Sequence, residues 1–385
     1  MLAYLTGVVL FVVGLCLSLS IHEAGHLLTA RAFGLRVRRF FVGRGPTVFS
    51  FRRGHTEYGL KALPIGGFCE IAGMTTLDDL TPDENARAMW RQPWWKRTAV
   101  MAAGPLTHVL LAAAILYAMA VSTGLPNLNP ATEPVLSATS CVGAVCPAAD
   151  AGLRPGDRIT AVAGTTTPLW ADVLTAVRAA GGPTAVTVRR GAETLTLTVD
   201  VARVTHPGTT REVGMIGATA TPPPAYQKFG PGEAAGATVT FTGELLHRAT
   251  TQLIAFPQRI PALLATIGGA ERTADTPISM VGATRLGGEA AERGLWEVFL
   301  LLMASLNLFM AVFNLLPLLP LDGGHLMVIW YERLRDTVRR LRGRPAVGPI
   351  DFTRLYPVTM TLVLIGGAIM LLTITADVVN PVRLS

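Results

Sequence analysis

The chain is poor in charge. Only 15% of its 385 residues are Asp, Glu, Lys or Arg, while half are hydrophobic. That balance suits a multi-pass membrane protein with a modest soluble part. Cysteine is scarce too: Cys16, Cys69, Cys141 and Cys146 are the four, and no two form a CxxC pair, which excludes a zinc knuckle built on cysteine. The net charge is +7, yet no stretch interleaves basic residues with aromatics, so no nucleic-acid partner is expected. The N-terminus lacks a basic leader and an A-x-A site, which argues against a cleaved signal peptide.

What is present is apolar length. Four segments, about 2–30, 98–123, 296–319 and 356–378, each reach the roughly 20 residues a bilayer demands. The loops orient them. Residues 31–97 carry twelve Arg and Lys against six acids, and 331–354 carry seven Arg against three acids. The positive-inside rule makes both cytoplasmic. The nearly balanced 124–295 segment and both termini then lie outside. Cys141 and Cys146 fall in that outer segment, where a disulfide is open to them.

Residues 2–21 hold no charge, and then comes His22-Glu23-Ala24-Gly25-His26. Positions i and i+4 share one face of a helix, so the two imidazoles converge on one point. Neutral imidazoles at that spacing suit Zn²⁺, and Glu23 stands beside them, placed to take a proton from an activated water. Ionisable groups in a spanning helix are costly and presumed functional. Arg31 is the first cation after the span. At 1.5 Å per residue His26 and His22 lie about 7 and 14 Å before it, inside the bilayer near the cytoplasmic face.

Two histidines leave a catalytic zinc one protein ligand short. The third span supplies a candidate in Asn314-Leu315-Leu316-Pro317-Leu318-Leu319-Pro320-Leu321-Asp322-Gly323-Gly324. Two prolines break the helix, an irregularity tolerated only where it is buried or lines a cavity. Asp322 follows the break at the depth of His22 and His26, and Gly323 and Gly324 give its backbone freedom to turn inward. His325 is the competing ligand. Asn314 is placed to bind substrate backbone or an oxyanion, against an ordinary interhelical hydrogen bond. His108, one turn past Ala103-Gly104-Pro105, reads as a polar group bonded between helices, with a ligand role as the alternative.

Residues 55–73 alternate apolar and polar positions around Gly66-Gly67, which predicts a hairpin with its tight turn there. It is either an ordinary cytoplasmic hairpin or one beside the site, its open edge free to pair with an extended substrate. Trp90, Trp94 and Trp95, with Arg91, Lys96 and Arg97, read as an interfacial anchor. A Pro- and Asn-rich linker at 124–134 leads to a compact α+β unit at about 135–218, whose TLTLTVDV run alternates as a strand. Residues 219–235 read as a second linker. Residues 236–266 read as a helix on the membrane surface, interrupted at Pro257 and Pro261.

Together these residues resemble the site-2 proteases, intramembrane zinc metalloproteases. HEAGH is similar to that family's zinc motif, and NLLPLLPLDGG to its N-x-x-P…LDG motif. The resemblance implies one Zn²⁺ held by His22, His26 and Asp322, with Glu23 as base and Asn314 touching substrate or transition state. Gly66-Gly67-Phe68 resembles the family's membrane-associated β-loop, and AADAGLRPGDRITAVAG resembles a PDZ domain. Gly214-Met215-Ile216-Gly217 resembles that domain's peptide-docking strand, and Pro277 to Gly282 recurs in relatives. Two departures stand out. The second proline is Pro320 where the family has it one residue earlier, and His108 stands where the family often has Asn.

The expected fold is therefore a multi-pass α-helical membrane protein of four transmembrane helices, with a membrane-associated β-hairpin and one inserted PDZ-like α+β domain. In chain order the parts are a first span with the zinc motif (1–30), a cytoplasmic segment with the β-loop (31–97), a second span (98–123) and a linker (124–134). The extracytoplasmic PDZ-like domain (135–218) follows, then a linker with surface helices (219–295), a third span with the third ligand (296–325), a basic cytoplasmic segment (326–355) and a fourth span (356–378). The expected substrates are single-span membrane proteins, such as anti-sigma factors or remnant signal peptides, cut in the plasma membrane of a bacterium. A non-catalytic PDZ receptor for peptides and a metal-ion transporter are the rivals. An intact Glu23 argues against the first, and a PDZ-like unit goes unexplained by the second.

Overall fold

The computed structural model describes residues 1–127, 132–205, 212–220, 224–270, 272 and 276–384. Residues 128–131 and 221–223 of the two expected linkers lie outside the described residues. The chain forms two compact units, one of Met1–Thr123 with Lys228–Ser385 and one of Gly124–Gln227.

The first unit opens with α1 (Leu2–Ala32). Its buried residues include Gly7, Phe11, Leu15, Ser18, His22, Gly25 and His26. Their spacing of three and four marks one helix face. The other face carries Val9, Val13, Leu17 and Leu28 uncovered, which is stable only in a lipid solvent.

Strands β1 (Val37–Arg53) and β2 (Thr56–Ile71) follow. Their registers include Phe40 with both Tyr58 and Cys69, and Val42 with both Leu60 and Gly67. A strand has two edges, so β2 lies along both edges of residues 39–42 and the sheet curls over itself. The tight turn is at Gly54-His55, where Gly54 has φ +64, not at Gly66-Gly67. That pair lies inside β2, where Gly66 at φ +76 bends the strand. Both pairs carry turn chemistry, and the sequence alone does not rank them.

Beyond the sheet come α2 (Trp94–Ser122), α3 (Pro231–Ile267), α4 (Met280–Glu292), α5 (Trp296–Asn314), α6 (Asp322–Leu341) and α7 (Tyr356–Val379). Among the described residues α1, α2, α5 and α7 are the helices long and apolar enough to cross a membrane. Helix α3 runs unbroken through Pro257 and Pro261, contrary to the expected interruption. Each proline removes one rung of the backbone ladder, and the neighbouring rungs carry the helix past it. The third apolar segment divides. Helix α5 stops at Asn314, Leu315–Leu321 turn through both prolines, and α6 starts at Asp322.

Close helix contacts are made through glycine. A Cβ on Gly7 would stand 2.4 Å from the Ala291 side chain on α4, and one on Gly25 2.8 Å from the Ala103 carbonyl on α2.

The second unit is α+β. Its five-stranded antiparallel sheet runs Thr165–Thr166, Arg158–Val162, Gly182–Arg190, Glu193–Thr205, Glu212–Met215 in spatial order. Helix Trp170–Ala179 buries Val173 and Val177 in a core with Ile159, Val186, Val188, Val199 and Val201. Cys141 and Cys146 are joined by a disulfide in this unit. Asp157, almost fully buried, accepts two hydrogen bonds from Arg190 at 2.7 and 2.8 Å, and that guanidinium holds its carboxyl below the usual carboxylate range.

Candidate active site

The helical period that buries one face of α1 points His22 and His26 the same way. Their Nε2 atoms lie 3.2 Å apart. Asp322, in the first turn of α6, closes a triangle. His22 Nε2 is 3.2 Å from its Oδ2, and His26 Nε2 is 3.4 Å from its Oδ1. Zn–N and Zn–O bonds of about 2.0–2.1 Å in a tetrahedron put neighbouring ligand atoms about 3.3–3.4 Å apart. The triangle has that size.

The tautomers also fit a cation. His26 Nδ1 lies 2.7 Å from the Val100 carbonyl oxygen, which accepts only, so Nδ1 carries the proton. Nε2 of neutral His26 is then a lone pair aimed into the cluster. Asp322 Oδ2 is buried without a hydrogen-bond donor. Lone pairs converging in a buried place repel one another unless a positive ion sits between them. Among the described residues His22, His26 and Asp322 are the only such group of three.

Glycine makes the room. A Cβ on Gly104 of α2 would stand 2.3 Å from His26 Nε2 and 2.7 Å from His22 Nε2. Any side chain there would fill the space where the lone pairs meet. In the sequence Gly104 shows only as a small residue four before His108, and nothing there marks it as part of the site. Gly323 and Gly324 also matter through space rather than freedom. A Cβ on Gly323 would meet the Leu315 backbone at 2.3 Å, and one on Gly324 that of Leu318 at 2.6 Å. The proline turn thus packs directly on the first turn of α6 and fixes where Asp322 begins.

Glu23 is half-buried and neighbours the sheet. A Cβ on Gly67 would lie 3.2 Å from Glu23 Cγ. Strand β2 therefore passes the carboxylate at a residue with no side chain to obstruct it. Phe68 stacks on Phe41 with ring centres 5.3 Å apart, and Lys61 Nζ lies over both rings. Gly66 stands beside them at the bend.

Three candidates stay outside the triangle. His325 lies within the first turn of α6 and stacks on Phe352 at 5.9 Å. Asn314 is the last residue of α5, half-buried. His108 is fully buried, with Nδ1 2.8 Å from Asn307 Oδ1. Asn307 Nδ2 donates to the Met303 carbonyl, so its Oδ1 faces His108 and accepts from Nδ1–H. The His108 ring lies 4.9 Å from that of His22. It borders the site without joining it.

Gly214, Met215, Ile216 and Gly217 belong to the second unit. The Ile216 carbonyl accepts from the Ala148 N–H at 2.9 Å and the Gly217 carbonyl from the Ser140 N–H at 2.7 Å. A Cβ on Gly214 would meet the Val177 carbonyl at 2.1 Å, so the strand lies hard against the end of the Trp170–Ala179 helix.

Comparison with known proteins gives a consistent result. Residues 10–355 match the model of peptidase family M50. The chain is 42% identical to a protein of Mycobacterium bovis named zinc metalloprotease Rip1, over 99% of each chain. It is 41% identical to the Mycobacterium tuberculosis protein of that name, again over 99% of each, and 42% identical to the Mycolicibacterium smegmatis one over 98% of each.

Proposed function

From the premise that this chain belongs to peptidase family M50 and is a zinc metalloprotease of the membrane, we propose that it hydrolyses peptide bonds within the transmembrane segments of single-span proteins. The observation that carries the proposal is the triangle of His22, His26 and Asp322, its two imidazoles on a helix long and apolar enough to cross a membrane and Glu23 alongside. Zn²⁺ at that place supplies a Lewis acid that acidifies water and polarises a carbonyl.

The chain's own groups supply the rest. His26 is oriented through Nδ1 by the Val100 carbonyl, and Asp322 is fixed by the packed proline turn. Glu23 takes the proton of the attacking water on its carboxylate and returns it to the leaving amine nitrogen. Asn314, at the end of α5, binds substrate backbone near the cut.

A helical substrate shields its amides by its own hydrogen bonds, so it must unwind first. Residues Gly67 to Glu70 of β2 pair with β1 along one edge. Among the described residues no strand pairs with the other edge, which is free to hold an extended segment. Gly66, Gly67 and Phe68 lie in that stretch, with Gly67 against Glu23.

The second unit reads as a PDZ-like domain on the outer side, where its disulfide suits an oxidising compartment. Its Gly214–Gly217 strand would bind an extended end, or the whole unit would exclude bulky ectodomains. The excess of Arg and Lys in residues 31–97 and 331–354 supports a metal site near the cytoplasmic face of a bacterial plasma membrane. Substrates of this description include anti-sigma factors and remnant signal peptides already cut outside. The test is a single-span reporter co-expressed with wild type or with Glu23→Gln. Cleavage by wild type alone is expected, and equal processing by both would reject the mechanism.

A further inference from the structure

Helix α6 carries more than Asp322. Its exposed residues Met327, Trp330, Tyr331, Leu334, Val338 and Leu341 recur every three or four positions and form one apolar stripe about 100° wide. The stripe is well uncovered, with Trp330 51%, Leu334 64% and Leu341 83% exposed. The opposite face is the one packed on protein, through Val328, Ile329 and Glu332. Arg335 and Arg342 flank the stripe on one side, and Arg333 and Arg340 on the other, at the spacings of an α-helix.

The acids of this helix point away. Glu332 is buried against Arg97 at 2.6 Å. Asp336 is taken by Arg335 and by the Val347 N–H. Among the described residues Arg340 and Arg342 have no acid within ion-pair distance. The outward surface is therefore apolar and cationic only.

A second observation gives its depth. Trp330 packs edge-on against Trp94, the first residue of α2, with centres 5.0 Å apart, and Arg333 lies over the Trp94 ring. Next to Trp94, Trp95 packs on Phe33 at the end of α1, and Lys96 lies over both rings. Aromatic rings with cations above them at the ends of two spans mark the membrane–water interface. The stripe continues from that belt.

The geometry points to α6 as an interfacial helix that binds anionic phospholipid. Its apolar stripe would enter the acyl boundary while Arg333, Arg340 and Arg342 meet phosphate headgroups; Arg335 is held by Asp336 and the Gly348 carbonyl. Zwitterionic headgroups also carry phosphate, but their own cation offsets it, so a row of unpaired arginines favours a bilayer surface with net negative charge. This rests on the cytoplasmic placement proposed above but not on catalysis. Asp322 begins the same helix, so the surface that seats α6 also bears on the third ligand.

The test is amide hydrogen exchange over residues 326–343 in the full chain carrying Glu23→Gln, which needs no turnover. The protein is placed in nanodiscs of phosphatidylcholine, with or without phosphatidylglycerol as a minority component. Slower exchange with phosphatidylglycerol is expected, weakened by high salt and lost in a variant with Arg333, Arg340 and Arg342 each changed to Gln. Each arginine is expected to change lipid affinity roughly fivefold. Equal exchange in the two lipid preparations of the chain with its arginines intact would overturn the proposal, even if the triple variant failed to fold. So would protection that follows the number of chains per disc rather than lipid charge, which would assign the stripe to a second copy. Absence of reporter cleavage by the wild-type chain, with lipid-dependent exchange intact, would fault the protease reading alone.

Discussion

Two of the buried polar clusters in the membrane unit differ in one respect. In the first, Arg272 and Asp377 pair at 2.6 Å with side chains only 4% and 2% exposed. Asp377 also accepts from the Ser279 N–H, and Arg272 donates to the carbonyls of Pro277 and Asn380. That cluster carries its own cation, although Arg272 Nε has no hydrogen-bond partner among the described residues. In the second, Asp322 faces two imidazoles, one of which has its proton committed elsewhere. The side chains of that cluster include no Arg or Lys. A buried carboxylate is costly until compensated, so the first was built to be closed and the second to receive an ion.

A glycine guards each cluster, which gives a direct way to break the comparison. The largest effect is expected from Gly104→Ala. Its methyl would meet His26 Nε2 at 2.3 Å, and the loss of zinc affinity should be about 100-fold or more, read as zinc content after dialysis against a chelator. Proteolysis should fall with it. Next is Arg272→Met, which strands Asp377. Stability should drop by about 3–5 kcal/mol, seen as a lower melting temperature in one detergent, while zinc content is unchanged. The added change Asp377→Leu should recover much of the loss. A smaller effect is expected for Gly282→Ala, whose methyl would meet Asp377 Oδ2 at 2.5 Å. About 1–3 kcal/mol of stability is lost and zinc is retained.

The smallest effect sharpens the contrast from outside the membrane. Arg38 holds Glu84 by hydrogen bonds at 2.7 and 2.8 Å, and the bound guanidinium draws its carboxyl down from 4.5 to about 2. A depressed carboxylate stabilises fully above its unfolded value and loses that contribution as pH falls through the folded one. Acid unfolding of wild type should therefore show a component between about pH 4.5 and about pH 2 that Glu84→Gln lacks.

Much of this was legible in the residues, and the limits have physical causes. His22 and His26 can be read as a pair because a helix imposes their spacing locally. Asp322 can be read because a carboxylate in an apolar segment is rare and costly. Gly104 could not be read as part of the site. Its contribution is an absence of atoms, and only the approach of α2 to α1 shows what that absence admits. The same holds for Gly323, whose role is set by the Leu315 backbone and not by its own torsions. The turn of the sheet is not legible because Gly54 and Gly66 both take left-handed backbone, and pairing along the whole strand decides between them. Helix α3 passes its prolines because the loss of single rungs is local while the helix is long.

The central claim is that two imidazoles of α1 and the carboxylate that begins α6 hold one ion. X-ray absorption at the zinc edge of the purified full chain, set beside the Asp322→Ala variant, tests it most directly. A first shell of two imidazole nitrogens with light oxygen ligands in wild type, and loss of tightly held zinc in the variant, is the expected outcome. An unchanged spectrum and full zinc content in Asp322→Ala would contradict it.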